Sequence, residues 1–245
     1  MMKRFLMALA FLIPAAAIAA GYSGPLDKAN IDQSDKASLQ SGAQIYMNYC
    51  LGCHSMEYQR YQRTFEDLDI PLDLGEEFLQ FTGDSVGSHK FSSIDADASA
   101  EWFGLTPPDL TMVARVRGAD WLYTYFRSFY VDDSRPFGVN NEVFENVGMP
   151  HVLQELQGVP RKTWERRLVD GEMKEVYVGI KSDGTGSMSD EEFDQAMLDL
   201  TNFLVYTGEP MILERQRMGM FVIGFLLILL ILSILLKKEY WRDVK

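Results

Sequence analysis

The sequence predicts an all-α domain with one small β-hairpin and long loops, followed by a single C-terminal transmembrane helix. Three observations lead to this prediction. Apolar residues recur at helical spacing in the segments before residue 50 and after residue 190. One strong turn signal separates two short segments of strand character. Near the C-terminus, a run of 19 residues carries no charge.

Two helices and one hairpin can be placed from local patterns. The first helix leads into residue 50, because its apolar residues recur every three or four positions: Leu39, Ala43, Tyr46, Met47 and Cys50. Ser189 followed by Glu192 forms a capping box, which starts a helix that ends near Gly208. Asp170-Gly171 is a hairpin turn signal between strands at residues 163–169 and 173–180. Residues 67–99 show no steady period and are predicted to be irregular.

The N-terminus has the three parts of a secretory signal peptide. Lys3 and Arg4 precede an apolar run over residues 5–18, and small residues follow at Ala19 and Ala20. We therefore expect residues 1–20 to be a signal peptide and the domain that follows to lie outside the cytoplasm.

The other end predicts a membrane anchor. Residues 218–236 are uncharged and long enough to cross a bilayer once. From Lys237 onward the tail carries four positive and two negative charges, which favours a cytoplasmic location. We expect an extracytoplasmic domain at residues 21–210, an anchor at 211–237 and a tail at 238–245. This arrangement indicates a single-pass protein of a bacterial inner membrane, with its domain in the periplasm.

The exported domain is strongly acidic. Residues 21–210 contain 15 Lys and Arg against 32 Asp and Glu, a net charge of −17, which excludes nucleic acid as a partner. Ten of the acids fall between Glu66 and Glu101, where Lys90 is the only base. Such a surface can steer a basic partner, although acidic surfaces also serve solubility alone.

The segment Cys50-Leu51-Gly52-Cys53-His54 has the spacing that attaches a c-type haem. On one helical turn, both thiols can meet the two vinyl groups of a porphyrin while His54 reaches the iron. The sequence thus predicts one haem c, attached covalently through Cys50 and Cys53. Zinc is a poor rival, because the chain has only two cysteines and its other histidines, His89 and His151, are isolated. A secreted thiol-redox protein is a further alternative.

Met149 is the predicted second axial ligand of the iron. It stands in Gly148-Met149-Pro150, where the proline limits backbone freedom. His151 would instead give bis-histidine ligation and a lower potential. The other candidate methionines are better interpreted as packing residues, namely Met112, Met173, Met188 and Met197.

Several motifs in fixed order resemble the cytochrome c1 family. They are residues 48–55, Pro107-Pro108-Asp109-Leu110, Ala114-Arg115 with Gly118 and Asp120-Trp121, Gly148-Met149-Pro150, residues 203–210, and the single span with its basic, Trp-containing tail. The resemblance covers essentially the whole chain. It implies a class I cytochrome c fold in the haem subunit of the ubiquinol:cytochrome c oxidoreductase, the bc1 complex.

The resemblance also implies partners and roles. Electrons would come from a Rieske iron–sulfur protein and pass to a basic or membrane-tethered cytochrome c, in a dimeric complex that includes cytochrome b and lipid. Arg115 would pair with a haem propionate, with Arg117 as the next candidate, and Pro107 would line the haem edge. Trp121 stands where relatives often have a tyrosine near the propionates, and its indole can donate a hydrogen bond but not accept one.

The expected function is therefore one-electron relay by a non-catalytic subunit of an oxidoreductase complex. Two alternatives stay open on the sequence. One is a haem subunit of another membrane complex such as a terminal oxidase, whose anchor would more often precede the haem motif. The other is a haem peroxidase with an open iron site, which requires that Met149 does not ligate.

Overall fold

The computed structural model describes Tyr22 and residues 24–169 and 171–243, so that the predicted signal peptide and Asp170 lie outside the described residues. Helices predominate, as the sequence predicts. In chain order they are α1 (Lys36–Ile45), α2 (Tyr61–Asp67), α3 (Leu72–Phe78), α4 (Ala96–Phe103), α5 (Val113–Arg117), α6 (Ala119–Arg127), α7 (Gln154–Gln157), α8 (Asp190–Gly208) and α9 (Ile212–Tyr240). A π-helical turn, Tyr46–Cys50, directly continues α1.

The described strands form three two-stranded antiparallel sheets. They pair β1 (Met56–Arg60) with β2 (His89–Lys90), β3 (Phe129–Val131) with β4 (Val139–Asn141), and β5 (Pro160–Val169) with β6 (Glu172–Ser182). The third pair confirms the predicted hairpin. The first two were not predicted, because strands of two to five residues hold too few alternations to form a pattern. The fold is therefore mainly helical with small sheets, and not strictly all-α.

The two predicted helices cross closely in the core. A Cβ at Gly42 of α1 would lie 2.1 Å from the carbonyl oxygen of Asp199 in α8, so only glycine permits this approach. The Ser38 hydroxyl donates to Asp199 Oδ1 at 2.7 Å. The rings of Tyr46 and Phe203 pack with centroids 5.8 Å apart. This crossing fixes the direction in which the π-helical turn presents Cys50.

Helix α8 begins and ends as predicted. The backbone N–H of Ser189 donates to the Glu192 carboxylate at 2.9 Å, and the Glu192 N–H donates to the Ser189 hydroxyl at 3.3 Å. The helix then packs against α1, α5 and α6, which bury residues 199–204 without interruption, and it ends at Gly208. The capping box is therefore confirmed.

Residues 67–99 are more ordered than the sequence predicts, because α3, β2 and the start of α4 lie there. The only buried residue of α3 is Gly75, where a Cβ would lie 2.6 Å from the ring of Phe65. A helix with one buried position shows no apolar period. Its location depends on a contact with α2 that local sequence does not reveal.

Helix α9 is long and apolar enough to cross a membrane. At about 1.5 Å per residue its uncharged stretch, residues 218–236, measures roughly 28 Å, close to the ~30 Å hydrocarbon core of a bilayer. The Ser233 hydroxyl donates to the Leu229 carbonyl at 2.7 Å, which satisfies this polar group within the helix. The helix continues to Tyr240, beyond the predicted anchor boundary at residue 237.

Candidate functional site

The two cysteines and the histidine lie on one hydrogen-bonded turn. Cys50 is the last residue of the π-helical turn, and its carbonyl accepts from the N–H groups of Cys53 at 3.1 Å and His54 at 2.8 Å. Cys50 is buried and Cys53 is half-buried, and no disulfide joins them. Burial, assisted by the neighbouring Cys53, raises the pKa of the Cys50 thiol to about 12. The single turn expected for residues 50–54 is confirmed.

The imidazole of His54 is oriented by a backbone carbonyl. Its Nδ1 lies 2.8 Å from the carbonyl oxygen of Pro108, and because that oxygen can only accept, Nδ1 carries the proton and Nε2 keeps its lone pair. Burial lowers the pKa of His54, against the opposing effects of Pro108 and Asp109. The neutral imidazole is the form that binds a metal.

The loop that follows Pro108 is fixed in place by Asp109. Its carboxylate accepts from the N–H of Glu57 at 2.7 Å and of Thr111 at 2.9 Å. The Leu110 N–H donates to the Ser55 carbonyl at 2.9 Å. The two chain segments on either side of His54 are therefore held together.

Met149 lies on a loop that passes close to the end of α4. A Cβ at Gly148 would lie 3.0 Å from the carbonyl oxygen of Phe103, so glycine permits the approach. The Met149 side chain is partly buried against the core, and the Tyr125 hydroxyl donates to its sulfur at 3.4 Å.

Two adjoining cavities meet at His54 and Met149. The first, which we call the Cys53 cavity, also borders Cys53 and Pro107, and the second, the Cys50 cavity, borders Cys50 and Trp121. Their cavity volumes are about 70 and 210 Å³. Their walls are predominantly apolar. The residues that border both cavities are His54, Leu105, Pro108, Gly148 and Met149.

Six of the seven residues predicted for the site thus border these cavities, and Arg115 does not. Its guanidinium lies 4.0 Å from the carboxylate of Glu209, and the side chain is 54% exposed. Arg117, the second candidate, borders the Cys50 cavity with its guanidinium carbon 4.9 Å from the ring centroid of Trp121.

His151, the alternative ligand, borders neither cavity. Its Nε2 lies 2.7 Å from Gln157 Oε1, and its ring stacks on Phe129 with centroids 4.8 Å apart. Burial lowers the pKa of His151 to about 4, so the ring is neutral and structural. As for zinc, no group of three or more His, Cys, Asp or Glu side chains suited to a metal occurs among the described residues.

Sequence reasoning missed several apolar residues of the walls, namely Phe103, Leu105, Tyr125 and Phe144. Leu105 is two positions before Pro107, so its proximity could have been inferred. The others come from segments 50 to 94 residues away from the cysteines, and in sequence they look like ordinary core residues. Only the tertiary fold brings them together.

The model of the Cytochrome C1 family matches residues 27–80 and 83–244. The chain belongs to the cytochrome c1 family. Cytochrome c1 of Allochromatium vinosum is 47% identical over the full length of both chains. A relative from Nitrosomonas europaea named ammonia monooxygenase gamma subunit is 41% identical over 99% of each. Cytochrome c1 of Rhodobacter capsulatus is 25% identical over 86% of this chain and 85% of its own.

Membership of this family makes the chain an electron-transfer protein of the respiratory chain with a c-type haem. The residues present fit that group. Two thiols, an imidazole with a free Nε2 and a thioether border the same pair of apolar cavities. His/Met is a ligand set of c-type haem iron.

Proposed function

We propose that this cytochrome c1 family member is a membrane-anchored c-type cytochrome of the bc1 complex, which relays single electrons from a Rieske iron–sulfur protein to a cytochrome c. One observation carries the proposal: His54 and Met149 border both apolar cavities, directly beside Cys50 and Cys53. When bound, the haem supplies a metal centre that changes oxidation state by one electron.

The roles of the protein's own residues follow from the geometry. Cys50 and Cys53 would hold the haem covalently, which accounts for two free cysteines in an exported domain. His54 would ligate through Nε2, because Nδ1 is committed to Pro108. Met149 would also hold the iron, through its sulfur, and so would exclude water, peroxide or oxygen from it.

An apolar and rigid site suits electron transfer. Little needs to move when the charge of a bound group changes, because the loops around His54 and Met149 are fixed by hydrogen bonds and close packing. Leu105 borders both cavities and is 51% exposed, so the site reaches the protein surface there. Such an edge is where a redox partner could approach, and Pro107 lies next to it.

The placement in the membrane belongs to the same proposal. Residues 1–20 would direct export and be removed, residues 21–210 would form the periplasmic domain, and α9 would anchor it beside cytochrome b. Its uncharged stretch and the basic tail beyond it support a cytoplasmic C-terminus. Family membership and the anchor after the haem motif favour this complex over a terminal oxidase.

The proposal is tested by haem staining of the full-length protein on a denaturing gel, together with optical and EPR spectra. We expect a covalently stained band that disappears in a Cys50→Ala, Cys53→Ala double variant. Met149→Leu should keep the stain but lose six-coordinate low-spin iron and fall in midpoint potential, because thioether ligation favours the reduced iron.

Met188→Leu is the matched control, since Met188 packs on the core away from both cavities. Its spectra and potential should match those of the unchanged protein. If Met149→Leu stays six-coordinate with an unchanged potential, Met149 is not the ligand. If the wild-type protein has an open iron site that reacts with peroxide, the protein is a peroxidase and the proposed electron relay is wrong.

A further inference from the structure

A buried pair of asparagines ends strand β4, shortly before the loop that carries Met149. Asn140 is 4% exposed and Asn141 is fully buried. A buried amide destabilises a fold unless its polar atoms are hydrogen-bonded, so each such side chain has partners that explain its place. The partners of Asn140 and Asn141 lie on two different elements that contact Met149.

Asn141 fixes the first half of the loop. Its Oδ1 accepts from the backbone N–H groups of Val143 at 2.9 Å and Phe144 at 3.1 Å, which makes an Asx turn. Val143 is buried, and Phe144 borders the Cys50 cavity. The amide therefore sets the direction in which the chain leaves β4 towards this cavity.

The other end of the same amide binds helix α6. Its Nδ2 donates at 2.8 Å to the carbonyl oxygen of Tyr125, in the last turn of α6, where carbonyls have no partner within the helix. The Tyr125 hydroxyl in turn donates to the Met149 sulfur at 3.4 Å. Since N–H groups only donate and carbonyl oxygens only accept, these partners also fix the orientation of the Asn141 amide. One side chain thus links the loop of Met149 to the helix that binds the Met149 sulfur.

The second half of the loop is held by Asn140 and Arg135. Asn140 Oδ1 accepts from the N–H of Asn146 at 2.9 Å. The Arg135 guanidinium donates to the side-chain oxygen and to the carbonyl oxygen of Asn146, both at 3.1 Å. Asn146 has a φ of +62°, in the left-handed region that asparagine tolerates, and lies three residues before Met149. The chain from Asn141 to Met149 is therefore fixed at both of its turns.

We propose that Asn141 is a positioning residue, which keeps the Met149 sulfur at the iron by fixing both its loop and Tyr125. The inference rests on the proposed haem site. Without the amide, the loop would gain conformations in which the sulfur lies away from the iron, because ordering each residue of a loop costs conformational entropy. The buried N–H groups of Val143 and Phe144 would also favour any conformation that gives them a new partner.

The test is a titration of the haem-loaded, full-length ferric protein with imidazole, which binds the iron where Met149 has left it. Loss of the absorption band of the Met–iron bond measures the binding. The apparent affinity is proportional to the fraction of open iron, so the titration reports this fraction. We expect Asn141→Ala to bind imidazole about 10–100-fold more tightly than the wild-type protein, the usual effect of losing a residue that orients a ligand.

Asn141→Ser is the conservative variant. Its hydroxyl can still accept from the N–H two residues ahead, that of Val143, but it is too short to reach the carbonyl of Tyr125. We therefore expect its imidazole affinity to lie between those of the wild type and Asn141→Ala. It decides the test if the alanine variant holds no haem.

Asn202→Ala is the matched control, because Asn202 is an equally buried asparagine of α8 that borders neither cavity. Its amide accepts from Gln33 Nε2 at 2.6 Å and donates to the Asp32 carbonyl at 2.8 Å. Asn202→Ala should lower the unfolding temperature, as Asn141→Ala does, but leave the imidazole affinity unchanged.

Two results would show that the inference is wrong. Either the Asn141 variants that hold haem bind imidazole as weakly as the wild type, or Asn202→Ala binds it as tightly as they do. A wild-type protein without haem would instead overturn the proposed function. A Met149→Leu protein with the imidazole affinity of the wild type would overturn the proposed ligation by Met149.

Discussion

The hydrogen bond from Tyr125 to Met149 is a single contact that can change the redox potential of the proposed haem site. Burial raises the pKa of Tyr125 far above its usual value, so its hydroxyl stays protonated and donates to the sulfur, 3.4 Å away. A hydrogen bond to a ligand atom draws electron density from it, and such contacts around a ligand adjust the redox potential. Tyr125 would therefore act on a bound iron through Met149, besides lining the Cys50 cavity.

We expect Tyr125→Phe to lower the midpoint potential while Met149 stays bound. The change removes one hydroxyl but keeps the ring that stacks on Trp121. Redox titration measures the change in potential, and the absorption band of the Met–iron bond shows whether Met149 stays bound. Tyr123→Phe is the matched control, because Tyr123 packs under Arg127 and borders neither cavity. Equal potentials for Tyr125→Phe and the control would contradict the prediction.

Lys90 is a second residue with an unusual environment. It is fully buried, and its Nζ donates to the Thr64 hydroxyl and to the Arg60 carbonyl, with the Tyr61 ring centroid 5.6 Å away. No described carboxylate lies within 4.0 Å of it. Burial lowers the pKa of Lys90 from 10.5 to about 7. At acidic and neutral pH the buried ammonium is therefore charged, and this charge destabilises the folded protein.

This environment predicts a pH-dependent stability. Between pH 7 and 10.5 the unfolded chain binds a proton at Lys90 that the folded chain lacks, so the free energy of unfolding rises with pH across this window. Lys90→Met should flatten the rise and stabilise the fold most below pH 7, by a few kcal/mol. The Arg60 carbonyl would still accept from Thr64 at 3.1 Å.

Denaturant unfolding of the full-length, haem-loaded protein at pH 6 and pH 9 measures this effect. Lys174→Met, on the exposed hairpin, is the control and should leave both free energies unchanged. A Lys90→Met protein that is less stable than the unchanged one at pH 6 would show that the hydrogen bonds of the ammonium outweigh its desolvation.

At the scale of elements, the crossing of α1 and α8 is the contact that sets the direction of the turn proposed to bind haem. The Ser38–Asp199 hydrogen bond, the Tyr46–Phe203 contact and the close approach at Gly42 all lie along it. Tyr46 then donates to the His54 carbonyl at 2.7 Å, which links the crossing directly to the proposed iron ligand.

Gly42→Ala should therefore destabilise the fold although alanine favours helices. The gain in helix propensity is about 1 kcal/mol, whereas the new Cβ would sit 2.1 Å from a backbone oxygen that has to move. Overpacking of a core typically costs about 1–3 kcal/mol, so we expect a net loss. Thermal unfolding measures it, with Gly87→Ala as the control because its Cβ would have no neighbour closer than 3.9 Å. A Gly42→Ala protein as stable as the control would show that the two helices can separate at little cost.

At the scale of the whole molecule, the acidic stretch between residues 66 and 101 is more uniformly negative than its composition indicates, because its one base, Lys90, is buried. Some of its acids are engaged: Asp67 pairs with Arg63, and Asp95 caps α4. Others, including Glu76, Glu77 and Glu101, are exposed and form no ion pair within the described residues. The stretch thus presents free negative charge to a partner.

We expect this surface to speed association with a basic cytochrome c. Electron transfer should be fast at low salt and slow down as ionic strength passes about 0.1 M, where the Debye length is ~10 Å. Replacing Glu76, Glu77 and Glu101 by Gln should flatten the salt dependence of stopped-flow rates without changing the haem spectrum.

The matched control neutralises three exposed acids outside the stretch, Asp133, Glu145 and Glu191. It removes the same net charge and should change the salt slope less. If the rates of the two variants depend equally on salt, this stretch has no role in docking. A membrane-tethered acceptor would also need little steering, because tethering already raises its effective concentration.

The sequence alone determined those features that depend on local spacing or on chain order. The CxxCH motif, the capping box at Ser189, the hairpin around Gly171 and the C-terminal apolar run each lie within one element. Their physics is short-range: a turn, a cap or a membrane-length run forms from neighbouring residues. The order of the motifs indicated the family, and the comparisons confirm it.

Only the tertiary structure decided which arginine and which of the apolar wall residues border the site. Arg115 and Arg117 are equivalent in local sequence, yet the packing of α5 against α8 turns Arg115 towards Glu209 and leaves Arg117 at the cavity. In the same way, α3 forms where Gly75 meets Phe65, a contact without a local pattern. Which face of a short helix is buried depends on the elements packed around it, because a helix of five to seven residues has too few apolar positions to decide this alone.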